Sequence, residues 1–146
     1  MPKYTTGRDE TPTFEAPPGD LPRKVQVTIH PKRNGAKQLT MGLFMIPSGG
    51  HSKLDTHPGV EEAYYILQGR GEVVIDGVRS KLEPGTSVYI PAGVEHQSFN
   101  LGNDELRFIW FFPRAMKVLG HEAQGWPEAK KLGKPNKVKK GRRTIE

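Results

Sequence analysis

Short apolar runs separated by turn residues occupy the middle of the chain. Within the runs apolar and polar side chains tend to alternate, which is the two-residue period of a half-buried β-strand. Asp76-Gly77 is a strong two-residue hairpin signal. No sustained helical period lies between residues 25 and 113, so the pattern predicts an all-β antiparallel barrel or sandwich. The apolar runs cover residues 25–29, 39–46, 62–67, 72–75, 87–90, 96–100 and 106–112.

The two ends of the chain differ from this middle part. Residues 1–23 carry five prolines and few apolar residues, and we expect an extended arm that is docked by Tyr4 and Phe14. Residues 24–115 form the predicted barrel, and residues 116–146 form a basic tail. With 13 Pro and 17 Gly among 146 residues, the composition fits one turn-rich β-domain with loose ends better than a helical bundle.

The net charge of +6 resides in the tail. Residues 127–146 hold eight Lys or Arg against two Glu, whereas residues 1–126 hold 14 basic and 14 acidic residues. The tail lacks an aromatic side chain that would stack on a base, so we expect a solvated, disordered segment. The alternative is weak binding of nucleic acid or another polyanion through phosphate contacts.

Composition and hydropathy exclude several classes of protein. The chain contains no cysteine, which excludes disulfides, a thiolate nucleophile and a sulfur-ligated metal site. The longest apolar stretch, residues 108–113, is far shorter than the roughly 20 residues that a membrane span needs. The first residues have no apolar signal core. We therefore expect a soluble, cytoplasmic protein with no membrane partner.

A spaced set of polar residues precedes and begins the third apolar run. It consists of Gly49, five residues, Asp55-x-His57, four residues, Glu62, six residues and Gly69. Strand alternation directs Asp55 and His57 to one face. Imidazole and carboxylate groups on neighbouring strands of a closed sheet can converge on one metal ion, but scattered His and Glu residues are more often ordinary surface or core residues, and alternation alone does not prove convergence.

A second spaced set lies further along the chain. It consists of Gly85, five residues, Pro91-x-Gly93, two residues, His96, three residues and Asn100. Together the two sets resemble the two motifs of the cupin superfamily. The second set fits without a gap, and the first fits with one substitution. The resemblance covers about residues 38–113 and implies a small single-domain cupin with a double-stranded β-helix, or jelly-roll, barrel.

The resemblance also implies a metal site. Cupins of this kind usually bind one divalent metal ion through two His and one Glu of the first motif and one His of the second. Carried across, this assigns His57, Glu62 and His96 as metal ligands. The remaining His position of the first motif is occupied by Asp55, which is a departure from the family pattern.

Three accounts of Asp55 remain open. Asp55 ligates directly, giving two imidazoles and two carboxylates, a set that suits Mn²⁺ or Fe²⁺, with Zn²⁺ also possible. Alternatively, Asp55 lies beside the ligands and leaves the two-His-one-carboxylate triad with open positions that is typical of non-haem iron oxygenases. In the third account the metal is lost and Asp55 is a polar pocket residue.

Tyr64 is the candidate catalytic residue. It shares a strand face with Glu62, so its hydroxyl is placed to reach a metal-bound substrate. In some cupin lyases a tyrosine in the equivalent place resembles a catalytic base. The alternative is a buried aromatic residue that packs inside the barrel.

The last run is large on both faces. Phe108, Trp110 and Phe112 alternate with Arg107, Ile109 and Phe111. The first set predicts a narrow apolar pocket over the metal, which favours a small organic substrate with one anionic or carbonyl group. A strand that is apolar on both faces is covered on both faces, which predicts a homodimer, with residues 1–23 as an arm that crosses to the partner.

These features leave two main classes of function. The first is a metal-dependent enzyme acting on a small organic substrate in the barrel, either a dioxygenase or an isomerase or lyase. The second is a non-catalytic cupin that binds a small ligand. A nucleic-acid adaptor is a third hypothesis and depends only on the basic tail.

Overall fold

Antiparallel β-strands form almost all the regular structure of the residues that this computed structural model describes, 3–115 and 128–129. Within them the helical pieces are a 3-10 turn at Arg8–Glu10 and a single turn, α1 (Pro31–Asn34). The strands are β1 (Thr13–Glu15), β2 (Lys24–Ile29), β3 (Thr40–Ile46), β4 (Glu62–Gln68), β5 (Gly71–Ile75), β6 (Val78–Leu82), β7 (Ser87–Ile90), β8 (His96–Asn100), β9 (Leu106–Phe112) and β10 (Glu128–Ala129).

The strands form two sheets. The larger has the order β10-β1-β2-β3-β9-β4-β7, and the smaller has the order β6-β5-β8. Asp76 and Gly77 both adopt a positive φ, at 50° and 75°, and connect β5 to β6 as the hairpin signal predicts. The all-β prediction is therefore confirmed. No helix within the described ranges has the length and apolar character needed to cross a membrane.

The predicted arm forms part of the larger sheet. β1 pairs with β2 of the same chain, and the side-chain amide of Gln26 donates to the Thr11 carbonyl and the Thr13 hydroxyl. Phe14 is buried in the core, as expected, whereas Tyr4 is exposed and does not dock the arm. In the single chain, β1 packs on its own barrel, and a crossing of the arm to a partner stays a prediction.

Part of the predicted tail also joins this sheet. β10 pairs with the outer edge of β1, with Glu128 opposite Phe14. The rest of residues 116–146 lies outside the described residues, and so does the prediction of a disordered, polyanion-binding tail.

The core lies between the two sheets in two clusters. One joins inward residues of both sheets, including Ile66, Val73 and Phe108. The other lies under the arm and includes Phe14, Val25 and Trp110. These inward residues occupy alternate positions, as the two-residue period requires. Residues of both clusters, including Val25, Phe108 and Trp110, line a cavity, and the candidate site lies there.

Gly42 and Asn100 illustrate the close packing and hydrogen bonding of the barrel. A Cβ on Gly42 of β3 would overlap the Gln26 carbonyl oxygen and lie 2.5 Å from Cζ2 of Trp110. Asn100 ends β8 and joins three segments: its amide donates to the carbonyls of Ile46 and Asp104, and its Oδ1 accepts from the amide of Gly102. The asparagine of the second motif is therefore a structural residue.

We predict that Gly42→Ala destabilises the fold by at least about 2 kcal/mol, because the added methyl group must displace a buried backbone or indole. The measurement is the free energy of unfolding from denaturant titration. Gly102→Ala is the matched control, since its Cβ would meet nothing closer than 3.4 Å. Equal stability of the two variants would contradict this account of the packing.

Candidate metal centre

Side chains from three separate places meet at one end of the interior. Glu62 begins β4, His96 begins β8, and His57 lies on the connection that precedes β4. Oε1 of Glu62 is 3.3 Å from Nε2 of His96 and 3.5 Å from Nε2 of His57. One ligand atom from each residue lies within 4.8 Å of the others. The two sets of residues singled out in the sequence thus converge.

Backbone hydrogen bonds hold the two sets together. Asp55 and His96 form an antiparallel bridge, with an N–O distance of 3.0 Å in one direction and 2.9 Å in the other. The amide of Gly93 donates to the carbonyl of His57 at 3.0 Å. The turn before β8 is therefore tied to the segment before β4, which explains why the spacing of both sets matters.

The ring of His96 is oriented for metal binding. Its Nδ1 lies 3.1 Å from the carbonyl oxygen of Val94, so Nδ1 carries the proton that is donated to this oxygen. Nε2 then presents its lone pair to Glu62. Burial lowers the pKa of His96, but the contact with Glu62 and the Val94 carbonyl raise it more, so the net shift is upward. A positive charge near Nε2 is therefore favoured.

The carboxylate of Glu62 faces the Nε2 atoms of both imidazoles and would balance a positive charge there. Its Oε1 is buried and has no hydrogen-bond partner among residues 3–115 and 128–129 unless Nε2 of His96 or of His57, at 3.3 and 3.5 Å, carries a proton. A buried acceptor without a donor costs about 1–3 kcal/mol, more when it is charged. A cation between one carboxylate oxygen and two imidazole nitrogens removes this cost. The donor set of nitrogen and oxygen atoms fits Mn²⁺, Fe²⁺ or Zn²⁺.

Asp55 lies beside this group rather than in it. Its Oδ2 is 3.7 Å from Nε2 of His57, its Oδ1 accepts from the amide of Thr56 at 2.8 Å, and its side chain is 59% exposed. The group of three potential ligands does not include it. Of the three accounts of Asp55, the arrangement favours the two-His-one-carboxylate triad.

Comparison with known proteins agrees with this geometry. A family model described as a cupin domain matches residues 42–112. Over 86 residues the chain is 33% identical to an uncharacterized protein of Methanocaldococcus jannaschii, covering 58% of this chain and 68% of that protein. The chain belongs to the cupin superfamily.

Two further similarities are informative about this cupin. It is 33% identical over 105 residues to the polyketide synthase CurC of Streptomyces cyaneus, covering 70% of this chain and 66% of that one. A predicted oxalate decarboxylase from Thermotoga maritima has the same fold, with a TM-score of 0.66 at 21% identity over 75% of this chain and 98% of that chain. The predicted cupin barrel is thereby confirmed.

Tyr64 is the next inward residue on β4 after Glu62. Its ring packs on Phe108, with centroids 4.4 Å apart, and lies edge-on to His96 at 6.4 Å. Burial, followed by the charges of Glu62 and Asp55, raises the pKa of Tyr64 well above its ordinary value. The hydroxyl therefore keeps its proton in this state and is a hydrogen-bond donor. Tyr64 can therefore pack against Phe108 and also donate a hydrogen bond at the site.

The triad lies in the wall of a cavity of about 310 Å³. This volume is at the lower end of the range for small-molecule sites, about 300–1,000 Å³. Aromatic side chains form much of the wall, with Phe108, Trp110 and Phe112 from β9 as the sequence predicts. Arg23 and Lys53 also line it, and sequence analysis did not single out either residue. The one signal for Arg23 is its alternation with Val25 at the start of β2.

We predict that the purified cupin binds about one divalent ion and that His57→Ala and His96→Ala each weaken metal affinity more than 100-fold. Asp55→Ala keeps affinity within about tenfold, because Asp55 stands beside the ligands. The measurement is metal content with titration of Mn²⁺, Fe²⁺ and Zn²⁺ into stripped protein. His51→Ala is the control for loss of an imidazole elsewhere. Full occupancy in both ligand variants would reject the site, and loss in Asp55→Ala would make Asp55 a ligand.

Proposed function

We propose that this cupin is a metal-dependent enzyme that acts on a small organic molecule inside the barrel. One observation carries the proposal: the buried Oε1 of Glu62, without a hydrogen-bond partner in the described part of the chain, faces two imidazole nitrogens in the wall of an aromatic cavity. A buried carboxylate oxygen that faces two imidazole nitrogens is costly on its own, and a metal ion held between the three groups compensates this cost.

Each side chain has a distinct task in this proposal. His57, Glu62 and His96 hold the ion, which supplies Lewis-acid polarisation of a substrate oxygen when it is bound. Tyr64 donates a hydrogen bond or a proton from inside the cavity. Asp55 stands on the exposed side of His57, where its carboxyl group is placed to exchange a proton with substrate or solvent.

This distribution of groups favours a redox-neutral isomerase or lyase. Half-buried Tyr64 and exposed Asp55 both line the cavity beside the triad, so a donor and an acceptor for protons are both present. The cavity walls suit a conjugated or aromatic carbonyl compound, and the name of the relative CurC, a polyketide synthase, is in keeping with such a substrate. A dioxygenase is the second candidate, because the triad leaves open positions on the ion.

A non-catalytic ligand-binding cupin is the alternative from another class. The observation in its favour is Asp55, which replaces a usual ligand and lies outside the group of three. This alternative expects stripped protein to fold and to bind its ligand as well as the loaded protein does. Location in the cytoplasm and polyanion binding by the tail stay predictions from sequence.

We predict that metal-loaded protein in D₂O, without oxygen, exchanges acidic C–H protons of small 1,3-dicarbonyl and keto-acid probes for deuterium, followed by proton NMR. Tyr64→Phe lowers the exchange rate about 10²- to 10⁴-fold, the usual contribution of a positioned proton donor. Tyr65→Phe, the next residue on the opposite strand face, is the matched control and keeps the rate.

The other outcomes of this experiment are distinct. Oxygen consumption by the Fe²⁺ form with no anaerobic exchange identifies a dioxygenase. Probe binding without either reaction, and without dependence on metal, identifies the non-catalytic cupin. An exchange rate that is unchanged in Tyr64→Phe removes Tyr64 from the mechanism.

We also propose a homodimer formed by the outer face of β4 and its neighbours. Tyr65 and Leu67 of β4 and Tyr89 of β7 are exposed on this face. Ile109 and Phe111 of β9 are only half-buried on the same side. A contiguous apolar sheet face of this kind is normally covered, and a second copy supplies the same apolar face in return.

We predict that sedimentation velocity at micromolar concentration shows a dimer and that Leu67→Asp converts it to a monomer, since a buried unpaired charge is costly at an interface. Val78→Asp is the control, because Val78 is 65% exposed on the other sheet, against 43% for Leu67. A monomeric wild-type protein, or dissociation of both variants, would contradict the proposed interface.

A further inference from the structure

An open groove lies where the chain enters β3 and leaves β9. Thr40 at the start of β3 pairs with Phe112 at the end of β9, and its hydroxyl donates to the carbonyl of Arg114 at 2.7 Å. This pairing brings the segments 37–39 and 113–115 together, and the start of α1 completes the wall. The groove has a volume of about 780 Å³ and shares no lining residue with the cavity of the triad.

The short turn α1 is held in place by hydrogen bonds at both of its ends. The amide of Lys32 donates to Nδ1 of His30 at 3.1 Å, and the amide of Gly35 donates to the carbonyl of Pro31 at 3.1 Å. Gly35 has a φ of 75°, the left-handed conformation that suits the residue after a helix. The main chain that carries Lys32 is therefore fixed in the single chain.

The groove carries an excess of positive charge. Of the described residues that line it, Lys32, Lys37 and Arg114 are charged and none is acidic. The ion pairs within residues 3–115 and 128–129 involve other cations and none of these three. The guanidinium of Arg114 donates to a neutral acceptor, the carbonyl of Gly59, at 3.2 Å. A local field of one sign attracts anionic partners.

Apolar residues form most of the remaining wall. Apart from the polar but neutral Gln38, they are Pro31, Leu39, Pro113 and Ala115. Apolar contacts beside complementary charges are typical of protein–protein interfaces. A nucleic acid, in contrast, places phosphates against its partner and gains from stacking on aromatic rings, and no aromatic residue is among the described residues of this wall. The groove therefore fits a protein better than a nucleic acid.

We propose that this groove docks an acidic segment of a partner protein that also carries apolar side chains. Lys32, Lys37 and Arg114 attract its carboxylates. Leu39, which is 43% exposed, contacts its apolar side chains together with the two prolines of the groove. The proposal does not depend on a metal ion or on chemistry in the cavity.

The test is fluorescence anisotropy of the full-length protein at low ionic strength with a fluorescein-labelled peptide made of Glu, Asp and Leu. We expect binding at least about tenfold tighter than that of a peptide in which Ser replaces each Leu, because the apolar contacts are then lost. A labelled poly(dT) oligonucleotide of equal charge also binds more weakly than the Leu-containing peptide. The double variant Lys32→Glu with Lys37→Glu weakens binding of this peptide at least about tenfold, because like charges then face it.

Lys139→Glu with Lys140→Glu is the matched control, since it makes the same change of net charge elsewhere in the chain, and we expect a loss of less than about threefold. Leu39→Ser lowers the preference for the Leu-containing peptide to less than about threefold, whereas Leu101→Ser, at an exposed leucine outside the groove, keeps it. The substituted lysines of the groove are exposed, so the double variant is expected to melt at the wild-type temperature. Absence of peptide binding by wild-type protein, equal loss in the two charge variants, or tighter binding of the oligonucleotide overturns the proposal.

Discussion

The antiparallel bridge between Asp55 and His96 is the contact on which the rest of the site depends. β4 belongs to the larger sheet and β8 to the smaller one, so Glu62 and His96 start from different layers. The bridge fastens the segment before β4 onto β8, and the Gly93 amide fastens the turn before β8 onto His57. Main-chain pairing thus brings three side chains close enough for one ion, with ligand atoms within 4.8 Å of one another. These main-chain hydrogen bonds position the ligands without any ion, which is the condition for precise coordination.

The same bridge accounts for the position of Asp55. The main chain of Asp55 is hydrogen-bonded to that of His96, and its side chain accepts a hydrogen bond from the amide of Thr56. Turning the carboxylate toward the triad would give up this local hydrogen bond. In the proposed metal site, the substitution of His by Asp in the first motif therefore changes the surroundings of the ion more than its ligand set.

The sequence was most informative where pattern and spacing reinforce each other. Alternating runs and the Asp76-Gly77 turn predicted the strands. The motif spacing predicted which residues meet, because strand pairing in a closed sheet determines where residues at a given spacing along the chain lie in space. Alternation specifies a face and not a distance, so it left the role of Asp55 open. Arg23 was missed because a lone arginine in a proline-rich segment has no periodic signal. A strand of two residues, such as β10, is too short to show any period.

The pairing of β10 with β1 covers an edge of the larger sheet that would otherwise be open. β1 is a short strand whose outer amides and carbonyls would otherwise stand open at the sheet edge, and two residues from the far end of the chain cover them. An uncovered edge of this kind is a template for strand addition from another molecule. Proteolytic loss of the chain after the barrel would leave the triad intact and remove this cover. Such trimming would first cause self-association at the β1 edge, well before any loss of metal affinity.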